Sequence, residues 1–122
     1  MIDVATSVDG TGTIWTLGQD HYVYYNYLGT WTKVNAIGQS IAVDHHGSPW
    51  IVGNDNGVWS LVGDHKTGTW HKRADSTCAR QIGVGVDGSV WIIGCTAMGG
   101  GYNIAKYNPE ADTFENVDGS AL

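Results

Sequence analysis

Apolar and polar positions along this chain do not recur with a helical period. They fall into short, strand-length runs broken by Gly, Asn and Asp. TIWTL (13–17), PWIV (49–52) and VWII (90–93) are apolar at nearly every position, a pattern for sheets covered on both faces rather than sheets with a wet side. These runs also repeat. SVDGTGTIWTLG ends at Gly18, AVDHHGSPWIVG at Gly53 and GVDGSVWIIG at Gly94, which aligns Trp15, Trp50 and Trp91. A second run follows each, YVYYNYLGTW, GVWSLVGDHKTGTW and YNIAKYNPEADTF, closing on Trp31, Trp70 and Phe114.

The unit is about forty residues long, and its alternation predicts four strands. The first predicted set runs over 2–8, 13–17, 22–27 and 31–34, the second over 41–43, 49–52, 58–62 and 70–73, and the third over 82–86, 89–93, 103–107 and 113–117. CTAMGGGY (95–102) reads as a longer loop before the third strand of the last unit. The units divide at approximately 2–40, 41–81 and 82–122.

Composition agrees with many turns and strands. The 122 residues include 18 Gly, six Trp and six Tyr but one Phe, and 15% are charged. A formal charge of −6 with six scattered Lys and Arg argues against nucleic acid and anionic membranes as partners, because both demand clustered cations. No apolar run is long enough to span a bilayer, and MIDVATSVDG has neither a basic stretch nor an apolar core of a leader. The expectation is a protein that does not insert in membranes and is cytoplasmic or secreted by a non-classical route.

The segments QIGVGVDGSVWIIG, GGGYNIAKYN and IAVDHHGSPWIVG resemble tectonin repeats, and the resemblance covers the whole chain. It implies an all-β fold, a β-propeller that is commonly six-bladed, in a family with glycan-binding lectins and with modules of larger membrane-traffic and defence proteins. The sequence departs from the pattern in the stretched turns DGTG and DHHG and in Phe114. Three four-stranded blades would leave two apolar faces open, so a homodimer closing a six-bladed ring is expected, with a trimer of nine blades as the other closed solution.

Several motifs invite chemistry. Asp44-His45-His46 looks like the metal signature of the DHH phosphoesterases, yet His45 and His46 align with Gly10 and Thr11, and the third unit has only Asp87-Gly88 there. The alignment therefore makes this stretch a hairpin corner with Asp44 bonding its own turn. His21, His65 and His71 share no spacing with carboxylates, although His21 beside Asp20 is a possible ligand pair. No nucleophilic triad recurs, so no enzyme, metal or cofactor is expected. Trp15, Trp50 and Trp91 read as packing between blades.

Sugar recognition needs an aromatic face together with amides or carboxylates. The loops GQDHY, GNDNG and GCTAMGGGY offer Asp20, His21, Tyr22, Tyr24, Asn54, Asp55, Asn56, Trp59, Tyr102 and Asn103 as ligand-binding candidates; the plainer reading of Asn, Asp and Gly there is turn geometry. The expected function is a lectin whose glycan sites are individually weak and repeated. The alternative is a non-catalytic scaffold for protein partners. For the two cysteines, a hairpin centred on Asp87-Gly88 puts Cys95 opposite Arg80 and leaves Cys78 about two residues out of register, so a bridge would need some loop distortion.

Overall fold

A computed structural model of the chain describes residues 3–6, 13–63, 68–74, 77–85, 87–98 and 100–121. Ile2, Val8, Asp9, Gly10, Thr11, His65, Val86 and Leu122, all used in the sequence reading, lie outside the described residues. The rest forms three antiparallel meanders of four strands. The first comprises β1 (Asp3–Thr6), β2 (Ile14–Leu17), β3 (Tyr22–Tyr27) and β4 (Thr30–Ile37). The second comprises β5 (Ser40–Val43), β6 (Pro49–Val52), β7 (Val58–Val62) and β8 (Thr69–Arg73). The third comprises β9 (Ala79–Val84), β10 (Val90–Met98), β11 (Gly101–Asn108) and β12 (Thr113–Ala121). The leading strands lie side by side, β1 beside β5 and β5 beside β9, as in successive blades around an axis.

The alternation of side chains explains why the strands are apolar on both faces. In the middle sheet Ala42, Trp50, Val52 and Val58 pack with Ile82, Val90, Ile92 and Ala105 of the third sheet. Its other face sends Ile41, Val43, Ile51 and Leu61 against Trp15, Leu17, Val23 and Tyr25 of the first. Trp15 and Trp50 are only 2% and 7% exposed, and each covers the sheet that follows it. Burying such side chains is worth roughly 2 to 3 kcal/mol apiece before ordering costs. The blades are thus held by stacking, supplemented by polar links such as Ile82 N–H donating to Ser40 Oγ at 3.2 Å and Ala74 N–H to Asp112 Oδ1 at 3.1 Å.

The Asp44-His45-His46 stretch is a turn. Asp44 Oδ1 accepts the N–H groups of His46 and Ser48 at 2.9 and 3.0 Å, and Oδ2 accepts the indole N–H of Trp50 at 2.9 Å. One carboxylate thus fixes a hairpin corner and the orientation of the core tryptophan, and both of its oxygens are engaged. Gly47 closes the corner at φ 81°, a conformation favouring glycine. The corner of the third sheet is equally long, Val84 facing Val90 as Val43 faces Pro49, so Asp87 stands at the position of His46 rather than of Asp44. It accepts the Ser89 N–H at 3.0 Å, and that bond holds its carboxyl below the usual range. The buried indole nitrogen of Trp15 has no partner among the described residues, and Asp9, aligned with Asp44, lies outside them.

Two expectations need correction. CTAMGGGY is not a loop: β10 and β11 continue as a paired arm, Ala97 opposite Tyr102 and Met98 opposite Gly101, while β12 extends alongside to Ala121. Unlike the apolar runs used to place strands, the arm is mixed in polarity, and cross-strand pairing carries it. The cysteine register also differs. Val84 faces Val90, so the hairpin centres on Asp87, and Arg80 is bulged out between the pairs Gln81 with Ile93 and Ala79 with Gly94. Those two single-residue shifts bring Cys78 opposite Cys95, where they form a disulfide with Cα atoms 5.6 Å apart.

Asp44→Ala should destabilise the fold by about 1 to 3 kcal/mol, since it strands a buried indole N–H and opens a turn. Replacing His45 and His46 by Gly and Thr should cost little; chemical denaturation measures both. Burial, followed by a hydrogen bond to Asp112 at 2.6 Å, pushes the Tyr107 hydroxyl up to about 12. The folded state therefore holds this proton beyond the unfolded range. The resulting stability is intact below pH 10 and lost as pH rises through about 12. Tyrosinate absorbance should show a late ionisation that Tyr107→Phe removes.

Candidate ligand-binding site

The polar concavity at the inner rim of the second and third sheets arises from the bulge just described. Gln39, Asn56, Arg80, Gln81, Ile93 and Tyr102 line a cavity of about 210 Å³. Asn56 sits in the β6–β7 turn at φ 63°, a left-handed conformation that Asn tolerates. Its Nδ2 donates to Ala79 O at 3.0 Å, and its own carbonyl accepts the Ala79 N–H at 2.8 Å. The turn of one blade thereby clamps the first residue of the next. Gln39 is oriented by donation from Nε2 to Gly53 O at 2.9 Å.

Arg80 follows the clamped Ala79, which is fully buried. In a regular strand neighbouring side chains point to opposite faces, and a bulge changes that phase. Arg80 is exposed, with its guanidinium carbon 4.3 Å from the centre of the Tyr102 ring. The arm supplies the ring and the bulge supplies the cation, while the disulfide ties the segment before β9 to the base of the arm. Amide groups, a guanidinium and an aromatic ring thus meet in one small cavity that no carboxylate lines among the described residues.

The structure distributes the other candidates differently. Asp20, Tyr22 and Tyr24 gather with Lys33 on the outer face of the first sheet. Tyr24 Oη donates to Asp20 Oδ2 at 2.7 Å, Lys33 Nζ lies 3.3 Å from the same oxygen and 4.0 Å above the Tyr22 ring. Accepting the Tyr24 hydroxyl is the main reason the Asp20 carboxyl lies below its usual value, and it raises Tyr24 in turn. Gln19, Asp20, Tyr24 and Trp31 border a shallow hollow of about 430 Å³ there. In the second sheet Asp55, Trp59 and Lys72 occupy the matching register, with Lys72 Nζ 3.3 Å from Asp55 Oδ2. The Gly57 N–H, first among several donors, holds the Asp55 carboxyl low. Trp59, however, packs against the core shared with the first sheet.

His21 corresponds to Asn56: it has φ 67° and accepts the Gly38 N–H through its carbonyl at 2.8 Å. Asn54 is exposed at the turn. Asn103 accepts the Thr96 N–H and donates to Asn116, so its amide braces the base of the arm. Of the sequence candidates, the rim cavity unites only Asn56 and Tyr102. Gln39, Arg80, Gln81 and Ile93 were missed; Gln39 and Arg80 align in the repeat, but the arm that brings Tyr102 to them has no counterpart in the tight turns after Gly18 and Gly53. A further groove of about 540 Å³ runs between the His45–His46 turn and the Asp87–Gly88 turn, floored by Trp50 and Tyr107.

No family model matches this sequence, and no curated protein matches it. Among solved structures, the chain is similar to one described as YCF48 bound to D1 peptide, with a TM-score of 0.56 and 20% identity over 88% of this chain and 36% of that one. The present chain thus spans about a third of the length of that neighbour. It is also similar to a fucose lectin from Kordia zhangzhouensis in complex with methyl-fucoside, with a TM-score of 0.51 and 13% identity over 97% of this chain and 99% of the lectin chain. These likenesses concern fold, and together with the three side-by-side meanders they support a β-propeller architecture.

If the disulfide secures the bulge, Cys78→Ser combined with Cys95→Ser should lower stability by roughly 2 to 4 kcal/mol, the usual range for a loop of this size. It should also weaken the nuclear Overhauser contact between Arg80 and Tyr102 in the folded protein. An unchanged contact would show that the arm and the bulge hold without the bridge.

Proposed function

We propose that this chain is a non-catalytic carbohydrate-binding module of tectonin type, two copies of which close a six-bladed propeller. The observation that carries the reading is the rim cavity, where Tyr102 supplies an aromatic ring and Gln39, Asn56, Arg80 and Gln81 supply amide and guanidinium groups. Saccharides are recognised through that pairing of an apolar ring contact with directed hydrogen bonds. The fold shared with a lectin solved with methyl-fucoside supports the class. One such cavity per chain gives two on the ring, and paired weak sites gain avidity on a surface crowded with glycan.

The end faces support the assembly. Trp70 and Phe114 each pack toward the preceding sheet, but Trp31, at the same register in the first sheet, is 46% exposed. At the other end Val117, which corresponds to the packed Val34, is 40% exposed. Gln81, Gly83, Trp91, Ile93 and Ile104 form an apolar depression beside it. A second copy would place its first sheet on this third sheet, and the reciprocal contact would close the ring. On this reading the Tyr24–Trp31 hollow belongs to the junction between copies, as Trp59 and Trp70 belong to the junction within the chain.

A second reading has its own support, since the neighbour solved with a bound peptide favours a protein-binding scaffold. A glycan array with Tyr102→Ala and Arg80→Ala as controls separates the two. Specific signals competed by a free saccharide and reduced at least about tenfold in either variant support the lectin, whereas an inert array with retained peptide capture supports the scaffold. Light scattering at micromolar concentration should give a dimer, reduced to monomer by Trp91→Lys. A wild-type monomer would refute the ring.

A further inference from the structure

The chain has six Lys and Arg, and Lys66 lies outside the described residues. Most of the others are spoken for. Lys33 pairs with Asp20 and Lys72 with Asp55, both at 3.3 Å. Arg73 donates from Nε to Ser60 Oγ at 2.7 Å and lies 6.0 Å from the centre of the Trp50 ring. Lys106 lies 5.5 Å from the centre of Trp91 in the field of Asp87. Arg80 differs. Among the described residues its guanidinium has a ring contact with Tyr102 but no carboxylate or hydroxyl partner, and none of those lining the cavity it faces is acidic.

An open guanidinium is a planar fork of donors and no acceptors, matched in spacing to the two oxygens of a carboxylate. Contact with the Tyr102 ring limits the orientations of that plane, so less freedom is lost when an anion docks. Around it the complement is neutral. Gln39 and Asn56 each give one amide N–H to Gly53 O and Ala79 O, which orients their amide oxygens to accept hydroxyl protons and leaves a second N–H on each, and Gln81 adds a further amide. In a chain of net charge −6, a cation at a rim cavity with no carboxylate partner among the described residues is a local exception that favours anions.

We propose that the rim cavity selects carboxylate-bearing saccharides, uronic acids in the simplest case, with Arg80 receiving the carboxylate and the amides receiving ring hydroxyls. The inference rests on the reading of the cavity as a saccharide site and adds the chemical class. It also assigns Arg80 as the specificity-determining residue, a role that depends on the bulge opposite Ile93 and Gly94.

The test uses the intact chain and two matched pairs of probes, methyl β-D-glucuronide against methyl β-D-glucoside and methyl α-D-galacturonide against methyl α-D-galactoside. Titration is followed at the Arg80 Nε–H resonance. At least one acidic probe should bind about tenfold tighter than its neutral partner and should weaken in 0.5 M salt, as exposed charge pairing requires (roughly a 4 Å Debye length). Arg80→Gln should abolish the difference, while Arg80→Lys, which keeps the charge without the fork, should retain a fraction of it. Equal binding of acidic and neutral probes would overturn the inference yet leave the carbohydrate reading standing. Binding of no saccharide, in these titrations and on the array, would overturn both.

Discussion

Face-to-face stacking of sheets is the interaction on which everything else in this chain depends. The middle sheet is buried on both sides, by Trp15, Leu17, Val23 and Tyr25 on one and by Ile82, Val90, Ile92 and Ala105 on the other. Because side chains alternate along a strand, covering both faces requires nearly every residue of β6 to be apolar, and PWIV is buried at all four positions. The same requirement makes the outer sheets incomplete. Each carries residues whose counterparts elsewhere in the chain are covered, Trp31 on one end face and Val117 on the other. Solvent exposure at those two positions is the structural reason for expecting a second copy.

Turn chemistry then decides how accurately the sheets are presented to one another. Asp44 links a backbone corner to the Trp50 indole, so a surface carboxylate sets the pose of a core side chain. At the opposite end of the second sheet, Asn56 adopts a left-handed conformation and bonds both the N–H and the C=O of Ala79. These polar contacts contribute less than apolar stacking but are directional. They fix where the chain leaves one blade and enters the next, and the rim cavity lies at that crossing.

The candidate site itself comes from a break in the repeat. In the first two units the second and third strands are joined by tight turns closed by Gly18–Tyr22 and Gly53–Gly57 backbone bonds. In the third unit those strands run on to Met98 and Gly101, raising Tyr102 on an arm, while the bulge at Arg80 turns a guanidinium toward it. The disulfide joins the two departures at their bases. Aromatic residues that do follow the repeat, Tyr24 and Trp59, instead occupy blade faces, where Trp59 packs against the core shared with the first sheet.

The sequence alone determined the sheet-rich fold, the three units and most strand positions, because alternation of side chains and the placement of Gly and Asp are local consequences of backbone geometry. Strands 22–27, 49–52 and 58–62 coincide with the predicted spans, and the turn role of Asp44 followed from aligning the units. It did not determine the arm, the bulge or the cysteine register. CTAMGGGY has the composition of a loop and becomes strand by pairing across itself and with β12, and a single extra residue at Arg80 leaves no trace in an apolar pattern. The meeting of Gln39, Asn56, Arg80 and Tyr102 is likewise a tertiary fact. These residues are far apart along the chain, and although Gln39 and Arg80 hold the same position in successive units, only the stacking of one blade on the next brings all four to one rim.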